Sequence, residues 1–285
     1  MRFRTEIPPF SLNPLLGPTD GILSLGSCFA ERIGERLSVG EHPVEINPLG
    51  TLYHPLSLSR ALSLFCGSVH LSQEELFYHE GLFRHWDVHT RLCDPERESA
   101  WDKIQAAVQR GSRGLRRSRW LYLTLGTAFV WERSGQIVAN CHKMPNQQFS
   151  RRILSVEECI QSLKLSLADV WSINPDLNVV LTVSPVRYLR DGLIQNQRAK
   201  STLVLAAHSL VEGDKRVQYF PSYELLLDDL RDYRFFDRDF AHPSEEAIDY
   251  IWSRYLDACV DSEYQNQLQR KIKLSCRRNH RQIHI

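Results

Sequence analysis

Gly21-Ile22-Leu23-Ser24-Leu25-Gly26-Ser27-Cys28-Phe29-Ala30 runs from a short apolar stretch, through a glycine and two small polar side chains, into an amphipathic segment. Residues 21–25 read as a buried strand. From Phe29 on, Ile33 and Leu37 recur at four-residue spacing, the mark of one apolar helix face. A glycine at the junction permits a tight turn. The next side chains then lie at a helix N-terminus, where the dipole and free N–H groups favour an anion. A cysteine there is expected to have a lowered pKa, and its thiolate is a nucleophile. The same pattern also suits a Ser27 that only caps the helix and a Cys28 that packs under the sheet.

The rest of the chain repeats the strand–helix theme, which predicts an α/β fold with a mostly parallel sheet. Further strands are expected at 44–46, 120–125, 177–182 and 217–220, and a hairpin over 129–139 turning at Arg133-Ser134-Gly135. Ser155 and Glu158 form a capping box, so a long helix starts there and runs towards Trp171. Helices are also expected over 197–211 and 223–230. Ser244 caps the last, with Glu245 and Glu246 at its positive end. Residues 54–114 contain helical patterns and a His/aromatic stretch, and are expected as a helical cap inserted in a single domain spanning 1–285. Residues 268–285 read as a basic tail.

Composition narrows the function. With 35 basic and 34 acidic residues the formal net charge is +1, so no long-range field for nucleic acid or an anionic membrane arises. No stretch approaches the roughly 20 apolar residues of a membrane span. The N-terminus lacks the apolar core of a secretory signal. Seven scattered cysteines without a CxxC spacing argue against a disulfide framework and fit a reducing cytoplasm. No P-loop, GxGxxG or HExxH occurs, so neither a cofactor nor a metal is expected. The run 110–119 holds five arginines. It reads as a solvated loop, or as a dock for an acidic carrier protein.

Leu23 to Ala30 contains the string GSCFA, and with it the chain resembles the bacterial GSCFA family, which is placed among the SGNH hydrolases. That resemblance implies a three-layer, flavodoxin-like SGNH fold. Its first block, Gly-Asp-Ser after the first strand, falls on Gly26, Ser27 and Cys28, so Cys28 takes the place of the nucleophilic serine. A one-residue slip makes Ser27 the nucleophile instead. The closing Asp-x-x-His block falls on Asp239-Phe240-Ala241-His242. It implies His242 as general base with Asp239 fixing its tautomer. The second block's glycine falls on Gly50, an expected oxyanion donor. The third, Gly-x-Asn-Asp, falls on Gly126-Thr127-Ala128-Phe129 and lacks its asparagine, for which Asn140 is a candidate replacement.

Asn140-Cys141-His142-Lys143-Met144-Pro145, Thr182 to Arg187 and Arg190-Asp191-Gly192 resemble further segments of the same family. His142 is a candidate substrate ligand or a hydrogen-bonded loop histidine. Arg187, at a strand end where α/β sheets bind ligands, is a candidate clamp for a carboxylate or phosphate, or an ion-pair partner of Asp191. The function expected is hydrolysis of an acyl ester or thioester, small or carrier-bound, through a covalent acyl-enzyme. Acyl transfer and a non-catalytic binding module are the rivals.

Overall fold

The computed structural model describes residues 5–282. In chain order the elements begin with strand β1 (Ile22–Gly26), helix α1 (Cys28–Val39), β2 (Val44–Ile46), α2 (Pro55–Cys66), the hairpin β3 (Phe77–His79) and β4 (Leu82–Arg84), and α3 (Arg97–Arg117). Next come β5 (Trp120–Leu125), β6 (Phe129–Arg133), β7 (Gln136–Val138), β8 (Ser150–Ile153) and α4 (Val156–Ile173). The chain continues with β9 (Asn178–Val183), α5 (Gly192–Gly213), β10 (Val217–Tyr219), α6 (Ser222–Glu224), α7 (Glu245–Cys259) and α8 (Ser262–Gln282). Beyond α6 the chain widens into a π-helical turn, Leu225–Leu230.

Five strands form one parallel sheet in the order β10-β9-β5-β1-β2. Alternate side chains of a strand face opposite ways, and here both faces are covered. Leu23, Leu25, Leu121, Leu123, Val179 and Leu181 enter one core with α2, α3, α4 and α5. Ile22, Trp120, Tyr122 and Val180 enter the other with α1, α7 and α8. Two-sided burial is why β1, β5 and β9 are nearly continuous apolar runs. The result is a three-layer α/β fold. Among the described residues no helix is long and apolar enough to cross a membrane.

Three expectations change. Within 54–114, α2 and α3 are not a cap: Leu58, Leu62, Phe65, Ile104, Ala107 and Leu115 sit in the main core. What departs from the layers there is the β3–β4 hairpin and the turn that follows it. The run 110–119 is not a loop but largely the end of α3. Arg116 and Arg117 occupy its last turn, where the dipole favours cations. Arg110 pairs with Glu45 at 3.5 Å and Arg119 with Asp20 at 3.1 Å. The basic tail begins as part of α8, with Leu268 buried against Gly40; residues 283–285 lie outside the described residues. The hairpin over 129–139 forms as β6–β7, and β8 adds an unanticipated third strand to it.

Candidate active site

The turn after β1 is fixed by Gly26. Its φ is +142°, and a Cβ there would lie 2.3 Å from the Thr124 carbonyl oxygen on β5. No side chain fits. The Gly26 N–H donates to Asn47 Oδ1 at 2.8 Å, and its carbonyl accepts from Leu52 N–H at 3.0 Å.

The two nucleophile candidates part company here. Ser27 is 2% exposed. Its hydroxyl caps α1 by accepting from Phe29 N–H at 3.3 Å and donates to Ser184 Oγ at 3.0 Å. Cys28, the first residue of α1, is half-buried and a free thiol. Burial and the Glu31 carboxylate push its pKa up, against the opposing pull of the Cys28 and Phe29 N–H groups and of the Lys200 ammonium. The lowered pKa expected from the helix N-terminus alone is thus overturned, because desolvation outweighs the dipole.

The Asp-x-x-His segment forms a compact unit. Asp239 Oδ2 and His242 Nδ1 are 2.6 Å apart. Asp239 Oδ1 accepts from the N–H groups of His242 and Ala241, each at 2.9 Å. Those donors, the His242 N–H first, hold the carboxyl down at about 2. Both side chains are half-exposed. The loop is fastened to the exit of β9 by Arg187 N–H, which donates to the Ala241 carbonyl at 2.9 Å. Ser184, three residues before Arg187, is the partner of Ser27. Ion pairs add a second fastening between α7 and α1: Arg32 with Glu245, and Arg36 with Asp249 at 2.5 Å. Among the described residues no hydrogen bond reaches His242 Nε2, and none joins it to Ser27 or Cys28.

The expected oxyanion donors are occupied elsewhere. Gly50 N–H donates to the Asn47 carbonyl at 2.8 Å, and Gly126 N–H to the Tyr53 carbonyl at 2.8 Å. Asn140 is held in the loop: its Oδ1 accepts from His142 N–H at 2.7 Å, and its backbone N–H donates to the Trp86 carbonyl. His142 is the loop histidine rather than an open ligand. Its Nε2 meets the His85 carbonyl at 2.8 Å and its Nδ1 the Thr90 hydroxyl at 3.3 Å. Burial holds its pKa down at about 4, so it is neutral near neutrality. Asp191 pairs with Arg151, not with Arg187. The Arg187 guanidinium lies 3.7 Å over the Phe236 ring and donates to the Phe240 carbonyl at 3.3 Å.

Two residues join the site without having been singled out. Tyr53 follows the β2 exit and is 39% exposed; its partly desolvated surroundings push the phenol pKa up. Lys200 of α5 is fully buried, donating to the Gly126 and Ser184 carbonyls at 2.6 Å each. Its signal was present in the sequence: Asn196, Ala199, Leu203, Ala206 and Leu210 are the buried stripe of α5, and Lys200 falls in phase with it.

The profile described as the GSCFA family matches residues 21–255. No curated protein matches the chain.

Proposed function

The chain belongs to the GSCFA family, and from that premise we propose that it is an SGNH-type acyl hydrolase working through an acyl-enzyme on Cys28. The observation that supports this most is the juxtaposition at one sheet edge. A half-buried thiol sits at the first position of α1, and an Asp239–His242 pair is tied to the β9 loop that also receives Ser27.

In this mechanism His242 Nε2 takes the Cys28 thiol proton as the sulfur attacks the acyl carbon of an ester or thioester. The alcohol or thiol departs with a proton from the His242 imidazolium, leaving a thioester on Cys28. Water then attacks that thioester while His242 Nε2 takes its proton, and the acid leaves as Cys28 is regenerated. Asp239 holds Nδ1 and stabilises the imidazolium. With Gly50 and Gly126 N–H committed, the oxyanion falls to the Cys28 N–H and the Tyr53 hydroxyl. Arg187 serves as the clamp for an anionic end of the substrate, and a cytosolic setting suits a thiol nucleophile.

Intact mass spectrometry after exposure to a panel of acyl esters and thioesters tests the reading. An acyl adduct on Cys28 that decays with release of free acid is expected. A folded protein that takes up no acyl group from any of them refutes it. If the adduct passes to an added amine or alcohol faster than to water, the activity is acyl transfer. The committed N–H groups of Gly50 and Gly126, and the absence of a His242–Cys28 hydrogen bond, favour as a second reading a ligand-binding module on the same fold.

A further inference from the structure

Lys200 has no role in the steps above, yet it is the most deeply buried charge beside them. Its side chain is 0% exposed. Among the described residues no carboxylate pairs with it. Its Nζ instead donates to the carbonyls of Gly126 and Ser184, the residues at which β5 and β9 end their pairing and turn towards the site. Two neutral carbonyls orient an ammonium but do not neutralise it. Burying one without a counter-charge is costly, and an anion forming nearby would offset that cost.

The group that can become that anion is the Cys28 thiol. Ser27, its neighbour, is bonded to Ser184 Oγ at 3.0 Å, on the same residue whose carbonyl Lys200 holds. The remaining titratable groups around the sulfur are unsuited. Glu31, on its own helix, carries the wrong sign and is engaged by Arg91 at 3.2 Å and by Asn47. Tyr53 is a neutral phenol. His242 is the base of the proposed steps, and its Nδ1 is held by Asp239 at 2.6 Å.

We propose that Lys200 is the buried counter-charge of the Cys28 thiolate, a positioning residue that ties the ends of β5 and β9 behind the nucleophile and favours the anionic sulfur. Burial works against both charges, raising the thiol and lowering the lysine, and each group offsets part of that cost for the other. Burial lowers the lysine to about 7, while Cys28 works to raise it; the ammonium in turn pulls the thiol down. The inference rests on Cys28 being the nucleophile, but thiol reactivity tests it without any substrate, so it can fail or stand independently of the acyl-hydrolase reading.

The experiment is peptide-resolved alkylation of the full chain by iodoacetamide from about pH 5 to about pH 10. Wild type is compared with Lys200→Gln, Lys200→Met and Lys200→Arg. The glutamine keeps a donor for the carbonyls without charge; the methionine removes both. Both should alkylate Cys28 about tenfold more slowly below the midpoint, an upward shift of about one pH unit, while Lys200→Arg stays near wild type. The wild-type profile should be broader than that of a single group, since two sites titrate together. A Lys200→Gln profile identical to wild type would reduce Lys200 to a structural tie and overturn the proposal, as would faster labelling of Cys28. Cys159 and Cys259, both buried, report unfolding by becoming reactive. If a variant unfolds, the wild-type curve still decides: a single-group titration there overturns the coupling.

Discussion

Replacing Ser27 and Cys28 one at a time should give opposite outcomes for stability and chemistry. Ser27→Ala removes an N-cap, worth about 1 kcal/mol, and the buried hydrogen bond to Ser184 Oγ, worth about another 1 kcal/mol. Ser184 Oγ keeps the Val186 N–H at 3.3 Å as a donor, so the loss stops near about 2 kcal/mol. For a domain of this size each kcal/mol moves Tm by roughly 2–4 °C, so a fall of about 4–8 °C is expected. The acyl adduct should still form, because the thiol is intact. Cys28→Ala removes one half-buried sulfur and no cap. It should cost less than about 1 kcal/mol and abolish the adduct entirely. Differential scanning calorimetry and intact mass spectrometry on the same two samples read both quantities. A Ser27→Ala protein with wild-type Tm and no adduct would refute the assignment, since it would make Ser27 a reactive group rather than a cap.

Three further outcomes are expected. His242→Ala should leave a long-lived mass increase on Cys28, because deacylation by water needs a base, and Asp239→Asn should show an intermediate decay rate; a wild-type decay rate in His242→Ala would remove that residue from the mechanism. Tyr53→Phe should slow adduct formation about 10²-fold while leaving the site of modification unchanged, and an unaltered rate would exclude the phenol as an oxyanion donor. Burial holds His42, His54 and His142 down at about 4. The folded state therefore disfavours their protonation, and the unfolded chain binds more protons between about pH 4 and about pH 6.5. Stability should fall as pH drops through that window, by up to about 1.4 kcal/mol per pH unit for each histidine. Urea unfolding of His142→Gln should show a shallower slope, and an equal slope would refute that residue's share.

The parts of the fold that were legible in the sequence are those fixed by local chemistry. The β1–α1 turn follows from Gly26, the α4 start from the Ser155–Glu158 box, which closes with both hydrogen bonds formed, and the Asp239–His242 contact from a three-residue spacing. What escaped depends on where distant chain segments lie. The apolar faces of α2 and α3 announce helices, but nothing local says that they cover the sheet rather than form a cap. Gly50 and Gly126 fall where oxyanion donors belong, yet their N–H groups are consumed by the carbonyls of Asn47 and Tyr53, a matter of loop path. Tyr53 belongs to the exit of another strand, and its carbonyl receives the Gly126 N–H. Lys200 was readable as a charge inside an apolar stripe, but its partners are main-chain atoms 74 and 16 residues away.

The ion pairs between α1 and α7 carry a consequence of a different kind. Arg32 and Glu245 are substantially exposed, so such contacts add little to folding and are screened by salt. They nevertheless join the helix that begins at the thiol to the helix that begins just after the imidazole. If Cys28 and His242 act as proposed, salt that weakens these pairs should change the rate of adduct decay at concentrations where the melting temperature does not move.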